Sequence, residues 1–262
     1  MPGYVRFAAL GDSTTYGIGD PVPNGWRGWA RLLADAMGQT HDVSFCNLAV
    51  SGATAPVVRR DQLDDALAHR PDLASLIVGV NDTMRSSWDP VDLRTDLLTC
   101  AEALHGIGAV LMTTRFHDHG AVLGLPGVLR RPLWRRIEHV NAVYDEIFEM
   151  YGGVRLDLVG RPEVGVRDFW SVDRLHPSEL GHRRLAYGFG ALVKALGVEF
   201  TLPSLALHGG LPSTRWADLR WMVTEGAPWM GRRAKDLGPW AARRAMPELR
   251  VSSGSRPLSP RT

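Results

Sequence analysis

Short apolar runs alternate along the first 200 residues with longer stretches in which apolar positions recur at helical spacing. Runs such as "LIVGV" and "AVLMTT" show no alternation of apolar and polar positions. Such runs are typical of parallel sheets, whose strands are covered by helices on both faces. Five strand-then-helix units follow one another, beginning with "YVRFAAL", "VSFCNLA", "LASLIVGV", "GAVLMTT" and "VRLDLV". The pattern therefore predicts an α/β domain built on a parallel sheet.

Each apolar run is followed by a stretch that we interpret as helical. The five stretches read "WRGWARLLADAMG", "VVRRDQLDDALAH", "PVDLRTDLLTCAEALHG", "PLWRRIEHVNAVYDEIFEMYG" and "SELGHRRLAYGFGALVKAL". The second spans residues 57–69, and the fourth begins at Pro132.

Small polar residues and glycines gather where these strands end. The first strand leads into "LGDSTTYGIGD" (10–20), the second into "NLAVSGATA" (47–55) and the third into "VGVNDTM" (78–84). The fifth strand is followed by "VDRLHPSELGH" (172–182). Ligands of open parallel sheets bind beyond the carboxyl ends of the strands, so we expect these four loops to converge on one site.

Each of these loops has an ordinary structural explanation when it is taken alone. Ser13 or Asp12 can cap the following turn, and Gly52 can supply a positive φ angle. Asn81 can close an Asx turn, and His176 can precede a helix that has proline at its first position. The loops indicate a reactive site only in combination.

Acyl transfer to a serine requires a base, a carboxylate that orients the base, and donors to the oxyanion. The chain has a candidate for each role. Ser13 is the candidate nucleophile, His176 the candidate base, and Asp173 its carboxylate partner three residues earlier. The candidate oxyanion hole consists of the backbone N–H groups of Ser13 and Gly52 and the side-chain amide of Asn81. The order Ser, Asp, His matches that of α/β-hydrolases, but the chain has no Gly-x-Ser-x-Gly motif.

With these four blocks in order, the chain resembles the SGNH hydrolases, also called the GDSL esterase/lipase family. The blocks are Gly11-Asp12-Ser13, Ser51-Gly52-Ala53, Gly79-Val80-Asn81-Asp82 and Asp173-Arg174-Leu175-His176-Pro177. The resemblance covers roughly residues 4–198 and implies a three-layer α/β/α sandwich with a flavodoxin-like, five-stranded parallel sheet. It also implies a Ser-His-Asp mechanism that needs no metal or cofactor. Thr14 stands where the family often has Leu, at a position that is not catalytic in the family.

The resemblance predicts a serine esterase that hydrolyses carboxylic esters through an acyl-enzyme, with short-chain acyl or acetyl esters as the expected substrates. A lysophospholipase, a lipase or a thioesterase would use the same mechanism and stays open as an alternative. A flavodoxin-like binding module is a rival of a different class, in which "GDSTTYG" would hold a flavin phosphate. A flavin-binding module would have no role for Gly52, for Asn81 or for the pair Asp173 and His176. A non-catalytic interaction domain would have no need for the intact triad.

The composition changes after residue 200. Residues 201–262 hold ten Lys and Arg against four Asp and Glu, which leaves the first 200 residues at −4 in a chain of net charge +2. We expect a hydrolase domain over residues 1–200, a basic, Trp-rich helical extension over 201–250 and a disordered tail over 251–262.

The extension has the pattern of two amphipathic helices. Ser213 or Thr214 can cap a helix that places Trp216, Leu219 and Val223 on one face. A second helix from Pro228 would align Trp229 and Leu237. We expect these faces to dock on the catalytic domain; the alternative is contact with an anionic membrane surface. The basic residues of that alternative are Arg232, Arg233, Lys235, Arg243 and Arg244.

Other features narrow the expected location and partners. No apolar run approaches the roughly 18 residues of a membrane span, and no charged-then-apolar leader opens the chain, so we expect a cytoplasmic protein. Cys46 and Cys100 are expected as buried free thiols. His117 and His119 could form a metal pair, but no nearby carboxylates or cysteines complete a site, so no metal is expected. The segment 115–131 is expected to border the cleft as a lid or an acyl-chain wall. No nucleic-acid partner is expected, and the oligomeric state is left open.

Overall fold

The computed structural model describes residues 3–211, 214–228, 231 and 235. A five-stranded parallel sheet forms its centre, with strand order β4-β1-β5-β6-β7. The strands are β1 (Tyr4–Gly11), β2 (Pro21–Val22), β3 (Gly25–Trp26), β4 (Asp42–Asn47), β5 (Leu73–Ile77), β6 (Val110–Arg115) and β7 (Val154–Asp157). The two-residue strands β2 and β3 form a separate antiparallel pair.

Helices cover both faces of the sheet. α2 packs against α9, whereas α6 packs against α3 and α8, so the helices form two layers. They are α1 (Ser13–Tyr16), α2 (Gly28–Met37), α3 (Ala55–Asp61), α4 (Leu63–His69), α5 (Val80–Thr83), α6 (Pro90–Gly106), α7 (His119–Val122), α8 (Gly127–Tyr151), α9 (Glu179–Ala195) and α10 (Arg215–Trp221). The described helices include none that is long and apolar enough to cross a bilayer.

Strand β1 is deeply buried because β4 and β5 flank it on its two edges and helices cover both faces of the sheet. Its residues Phe7 to Leu10 are fully buried. Phe7 lies opposite Phe45 of β4 and Leu73 of β5. On the α2 and α9 side, Trp29 stacks on Phe189 with ring centroids 4.6 Å apart. The three-layer fold with a parallel five-stranded sheet is thereby confirmed, and its strand order is that of flavodoxin-like folds.

Two predicted helix boundaries are wrong. The stretch 57–69 is divided at Gln62 into α3 and α4, because the Gln62 side chain turns inward to the end of β1. The fourth helix begins at Gly127 instead of Pro132, with the carbonyl of Pro126 accepting from Leu129 and Arg130. Pro132 therefore lies inside α8, where it has no N–H to donate to the carbonyl four residues earlier.

The expected docking face of the extension is also wrong. On α10, Trp216 is 80% exposed and Leu219 is 53% exposed, and Val223, in the turn Met222–Gly226 that follows, is 62% exposed. Trp221 instead contacts the rings of Trp26 and His176. The second predicted helix, including Trp229, falls largely outside the described residues. So do Leu237 and the basic residues Arg232, Arg233, Arg243 and Arg244.

Candidate active site

Ser13 lies beyond the carboxyl end of β1. β1 ends at Gly11, and Ser13 is the first residue of the short helix α1. The side chain of Asp12 caps this helix by accepting from the N–H of Thr14 at 3.0 Å. Gly17, with φ 107°, ends the helix in the left-handed region, which glycine adopts without steric cost. The Ser13 hydroxyl is therefore held by a turn that is capped at both ends.

Gln62 fixes the strand end that precedes this turn. Its Oε1 accepts from the N–H of Gly11 at 2.9 Å, and its Nε2 donates to the carbonyl of Gly11 at 3.0 Å. Gln62 is buried, so the pair of bonds is shielded from water. The sequence analysis missed this residue, because its partner Gly11 lies 51 residues away in the chain.

The structure brings Ser13, His176 and Asp173 together. The Nε2 of His176 lies 2.9 Å from the Oγ of Ser13, and its Nδ1 lies 2.7 Å from Oδ2 of Asp173. An ionised carboxylate can only accept, so Nδ1 donates and Nε2 is left to accept the serine proton. Ser13 and His176 are each 8% exposed, which limits competition from water.

Asp173 is held as an anion by its own loop. Oδ1 accepts from the hydroxyl of Ser171 at 2.7 Å and from the N–H groups of Leu175 and His176 at 2.9 and 3.0 Å. Burial alone would raise the pKa of Asp173, but the hydrogen bond and charge of His176, together with these N–H donors, hold the pKa well below its usual range. Arg174 adopts φ 55°, an uncommon conformation for a residue with a side chain, within this turn.

Close backbone contact holds the loop of Ser13 against the loop of His176. A Cβ on Gly19 would lie 1.9 Å from the carbonyl oxygen of Pro177, so only glycine permits this approach. The Nε2 of His182 hydrogen-bonds to the carbonyl of Ile18 at 2.9 Å. The distance between Ser13 and His176 therefore depends on contacts between two loops that are far apart in the sequence.

Asn81 lies in the same loop cluster. Its Nδ2 donates to the carbonyl of Ala53 at 3.1 Å and to Oδ2 of Asp12 at 3.3 Å. The neighbouring Gly52 has φ 78°, and no described heavy atom lies within 4 Å of the position of its missing Cβ. Gly52 and Asn81 thus come from two loops that meet, with open space beside the glycine.

Two further carboxyl groups lie in these loops, that of Asp12 buried and that of Asp82 half-buried. Burial raises the pKa of Asp12 to about 6, against the hydrogen bond from Thr14. Burial likewise raises the pKa of Asp82 to about 7, against the hydrogen bond from the N–H of Ala55. Asp12 already accepts hydrogen bonds from the N–H of Thr14 in α1 and from the side chain of Asn81. These contacts are those of a residue that holds the two loops together.

A small cavity opens beside Ser13 and His176. Its volume is about 50 Å³, and apolar side chains form most of its wall. Phe116 and His119, from the segment 115–131, contribute to this wall. That segment therefore borders the cavity, as expected.

His117 and His119 are buried and stack with ring centroids 3.9 Å apart. Burial lowers the pKa of His119 to about 4 and holds that of His117 well below its usual value. Neither ring nitrogen of His117 has a hydrogen-bond partner among the described residues. In the described part of the chain as a whole, no group of three or more His, Cys, Asp or Glu residues could hold a metal ion. The two cysteines are free thiols, Cys100 buried and Cys46 half-buried.

Comparison with known proteins identifies relatives of this arrangement. The model of the GDSL-like lipase/acylhydrolase family matches residues 9–184. An acetylxylan esterase from Geobacillus stearothermophilus is 23% identical over 166 residues, which cover 60% of this chain and 74% of that protein.

Solved structures with the same fold include two bacterial enzymes. The esterase EstA from Pseudoalteromonas sp., in a structure inhibited by monoethylphosphonate, superimposes with a TM-score of 0.57 and 18% identity, covering 74% of this chain and 99% of that one. A lipase/acylhydrolase from Enterococcus faecalis gives a TM-score of 0.58 and 20% identity, covering 73% of this chain and 96% of that one. These likenesses support the fold.

Proposed function

Because the chain belongs to the GDSL-like lipase/acylhydrolase family and is a carboxylic ester hydrolase, we propose that Ser13, His176 and Asp173 are its catalytic triad. One observation carries the assignment: the two hydrogen bonds of 2.9 and 2.7 Å that join the Ser13 hydroxyl to the Asp173 carboxylate through His176. This arrangement is the one that serine acyl transfer requires.

In the proposed reaction, Nε2 of His176 takes the proton of the Ser13 hydroxyl while Oγ attacks the ester carbonyl carbon. The imidazolium that forms is stabilised by Asp173, which stays ionised. His176 then gives the proton to the leaving alcohol as the carbon–oxygen bond breaks, and an acyl-enzyme remains. Water, deprotonated by the same imidazole, attacks the acyl group, and Ser13 regains its proton as the acid leaves.

The negative charge that develops on the carbonyl oxygen requires donors. We assign this role to the N–H groups of Ser13 and Gly52 and to the Nδ2 of Asn81. The open space beside Gly52 supports the assignment, because a substrate can approach the backbone there. Asn81 would exchange its 3.3 Å bond to Asp12, the longer of its two, for the oxyanion.

The substrates are small-molecule esters, as the family implies, and we propose that the acyl group is short. The cavity beside Ser13 measures about 50 Å³, which is smaller than a cavity of roughly 150 Å³ that binds benzene. An acetyl group fits this space far better than a long acyl chain does, which disfavours the lipase and lysophospholipase alternatives. The acetylxylan esterase from Geobacillus stearothermophilus shows that a relative acts on acetyl esters. A thioester with a short acyl group stays an alternative, and a cytoplasmic location stays a prediction.

A panel of p-nitrophenyl esters, from acetate to palmitate, tests the proposal beside acetylated xylan and lysophospholipid. We expect the highest kcat/KM on acetate and a loss of at least about 10⁴-fold in kcat in Ser13→Ala. Ser75→Ala is a matched control, since Ser75, in β5, is also a buried serine, and its hydroxyl has no partner among the described residues. Full activity in Ser13→Ala would overturn the triad, and a preference for palmitate would overturn the short acyl group.

A further inference from the structure

The C-terminal extension places an indole N–H on the carboxylate of Asp173. Trp221 is the last residue of α10, and its Nε1 donates to Oδ2 of Asp173 at 3.0 Å. The same oxygen accepts from Nδ1 of His176 at 2.7 Å. We propose that Trp221 is a positioning residue of the active site, which acts on His176 through Asp173. The proposal rests on the triad proposed above and adds to it a member from outside residues 9–184, the part that the family model matches.

The indole N–H completes the hydrogen bonding of the carboxylate. Oδ1 of Asp173 is held by donors from its own loop, namely Ser171, Leu175 and His176. Oδ2 faces the imidazole, and there the second donor is Trp221, which lies 48 residues further along the chain. A carboxylate held at both oxygens cannot rotate away from the imidazole, so Nε2 stays directed at the nucleophile.

The ring of Trp221 lies between the imidazole and the β2–β3 hairpin. Its edge contact with His176 has a centroid distance of 6.3 Å and an interplanar angle of 83°. Its contact with Trp26 of β3 is closer, at 5.2 Å and 74°. Edge-to-face aromatic contacts of this kind favour one mutual orientation, so both neighbours restrain the direction of the indole N–H.

Hydrogen bonds fix the chain that leads to α10 to the catalytic domain. Arg183 of α9 is 1% exposed and donates to the carbonyl of His208, as Arg27 does at 2.8 Å. The N–H of Leu211 donates to the carbonyl of Pro21 in β2 at 2.8 Å. Since charged donors form the stronger hydrogen bonds, residues 208–211 are held beside the hairpin that Trp221 contacts.

The exposed apolar side chains of α10 support a specific role for the contact between Trp221 and Asp173. The apolar side chains Trp216 and Leu219 are exposed, and so is Val223 in the turn Met222–Gly226 that follows. A helix docked only to bury apolar surface would present that face to the domain. α10 instead directs Trp221 to a catalytic carboxylate and leaves the apolar face exposed.

The test compares Trp221→Phe with Trp216→Phe in the full-length chain. Phenylalanine keeps an aromatic ring and removes the N–H, while Trp216, 80% exposed on the same helix, is the matched control. For Trp221→Phe we expect kcat on p-nitrophenyl acetate to fall about tenfold, as for loss of one hydrogen bond to a charged group, with KM changed less than about twofold. For Trp216→Phe we expect both constants to stay within about twofold of the wild-type values.

The pH profile separates positioning from a general loss of structure. Without the indole donor, more of the charge on Asp173 is available to the protonated imidazole, so the acidic limb of kcat/KM moves to higher pH in Trp221→Phe. Asp12, His119 and His182 also interact electrostatically with His176, but they are unchanged in the variant. A profile and kcat identical to those of Trp216→Phe would overturn the proposal.

A second variant removes only the N–H. Benzothienylalanine at position 221 keeps the bicyclic ring and replaces the N–H with sulfur, so packing is retained if Trp221→Phe fails to fold. The same fall in kcat and the same pH shift are expected, and wild-type behaviour would refute the positioning role. Labelling of Ser13 by a fluorophosphonate in every variant distinguishes the two failures. A wild-type protein that is not labelled overturns the triad itself, whereas labelled variants with unchanged kinetics overturn only the role of Trp221.

Discussion

The amide of Asn81 has two acceptors in the free enzyme, Ala53 and Asp12, and in the proposed reaction the oxyanion replaces Asp12. Asn81→Ala should lower kcat by about 100- to 1,000-fold, the range observed when one oxyanion donor is removed. KM should change much less, because the interaction is made in the transition state. Steady-state kinetics on p-nitrophenyl acetate measures both constants.

Asn47 provides the control for this variant. Its Nδ2 donates to the carbonyl of Thr15 at 2.9 Å, so it also braces the loop of the nucleophile without a proposed role at the oxyanion. Asn47→Ala should lose less than about tenfold in kcat, since it removes only a structural hydrogen bond. Equal losses in the two variants would show that Asn81 acts only as a brace.

Asp82 should make stability depend on pH. Burial raises its pKa to about 7 in the folded state, whereas an unfolded chain has a value of about 3.9. Between these values the folded state keeps a proton that the unfolded state has lost, so the free energy of unfolding falls as pH rises from about 4 to about 7. Asp82→Asn cannot ionise and should therefore gain stability relative to wild type across this window.

Urea unfolding of Asp82→Asn and wild type at several pH values measures the gain. Comparing the two proteins cancels the opposite effect of His119 and His182, whose pKa values are lowered to about 4 by burial. A difference that stays constant with pH would contradict the account of Asp82.

Most of the candidate site could be predicted at the scale of single residues. Ser13, Asp173 and His176 stand in motifs that predict their chemistry when taken together, and the structure places them in hydrogen-bonding contact. Gln62 and Trp221 could not be found in this way, because their partners are distant in the sequence and depend on how helices are oriented. A side chain whose function requires tertiary contact has no local signature.

At the scale of elements, the five strands follow the apolar pattern because both faces of the sheet are buried. α6, over Pro90–Gly106, coincides with its predicted stretch because Asp89 caps it and Pro90 opens it. α8 begins earlier than predicted, and α3 and α4 are separated at Gln62. At the start of α8, the carbonyl of Pro126 in the preceding loop accepts hydrogen bonds from the helix. Between α3 and α4, the side chain of Gln62 bonds to Gly11 of β1. In both cases these hydrogen bonds override the periodicity of the sequence.

The contact between the loops of Ser13 and His176 can be tested through Gly19. A Cβ there would overlap the carbonyl oxygen of Pro177, so Gly19→Ala should push the two loops apart. Displacement of a catalytic group by about 1 Å can cost about 100-fold, and we expect a fall in kcat of that order. Steady-state kinetics measures the fall.

Gly25→Ala is the matched control for Gly19→Ala. Gly25 also has a positive φ, 129°, but no described heavy atom lies within 4 Å of its Cβ position. The two variants therefore share the backbone strain and differ in the clash. If both lose the same activity, loop separation does not control the reaction.

At the scale of the whole molecule, residues after 204 should contribute to folding stability. Deletion of 205–262 removes acceptors of Arg183 and Arg27, and leaves a buried guanidinium without its partner at His208. An unpaired buried donor costs about 1–3 kcal/mol, which corresponds to about 5 °C in the Tm of a domain of this size. Thermal unfolding of the truncated and full-length chains measures the change.

A second truncation, of residues 229–262, serves as the control because it keeps α10 and the contacts of His208. It should leave Tm closer to that of the full chain. Co-sedimentation with anionic liposomes tests membrane contact by the full chain and by the same truncated chains. We expect no binding to the liposomes at any salt concentration. Binding that weakens at high ionic strength would instead support contact between the extension and an anionic membrane surface. An unchanged Tm after deletion of 205–262 would refute a structural role.

The most direct test of the account is the site of covalent labelling by a fluorophosphonate, read by intact mass and peptide mapping. An activated serine should react once per chain, and the adduct should lie on Ser13 because His176 removes its proton. Ser13→Ala should not be labelled. Undiminished labelling of Ser13→Ala, or a single adduct on another residue of the wild-type chain, would contradict the assignment of Ser13 as the nucleophile.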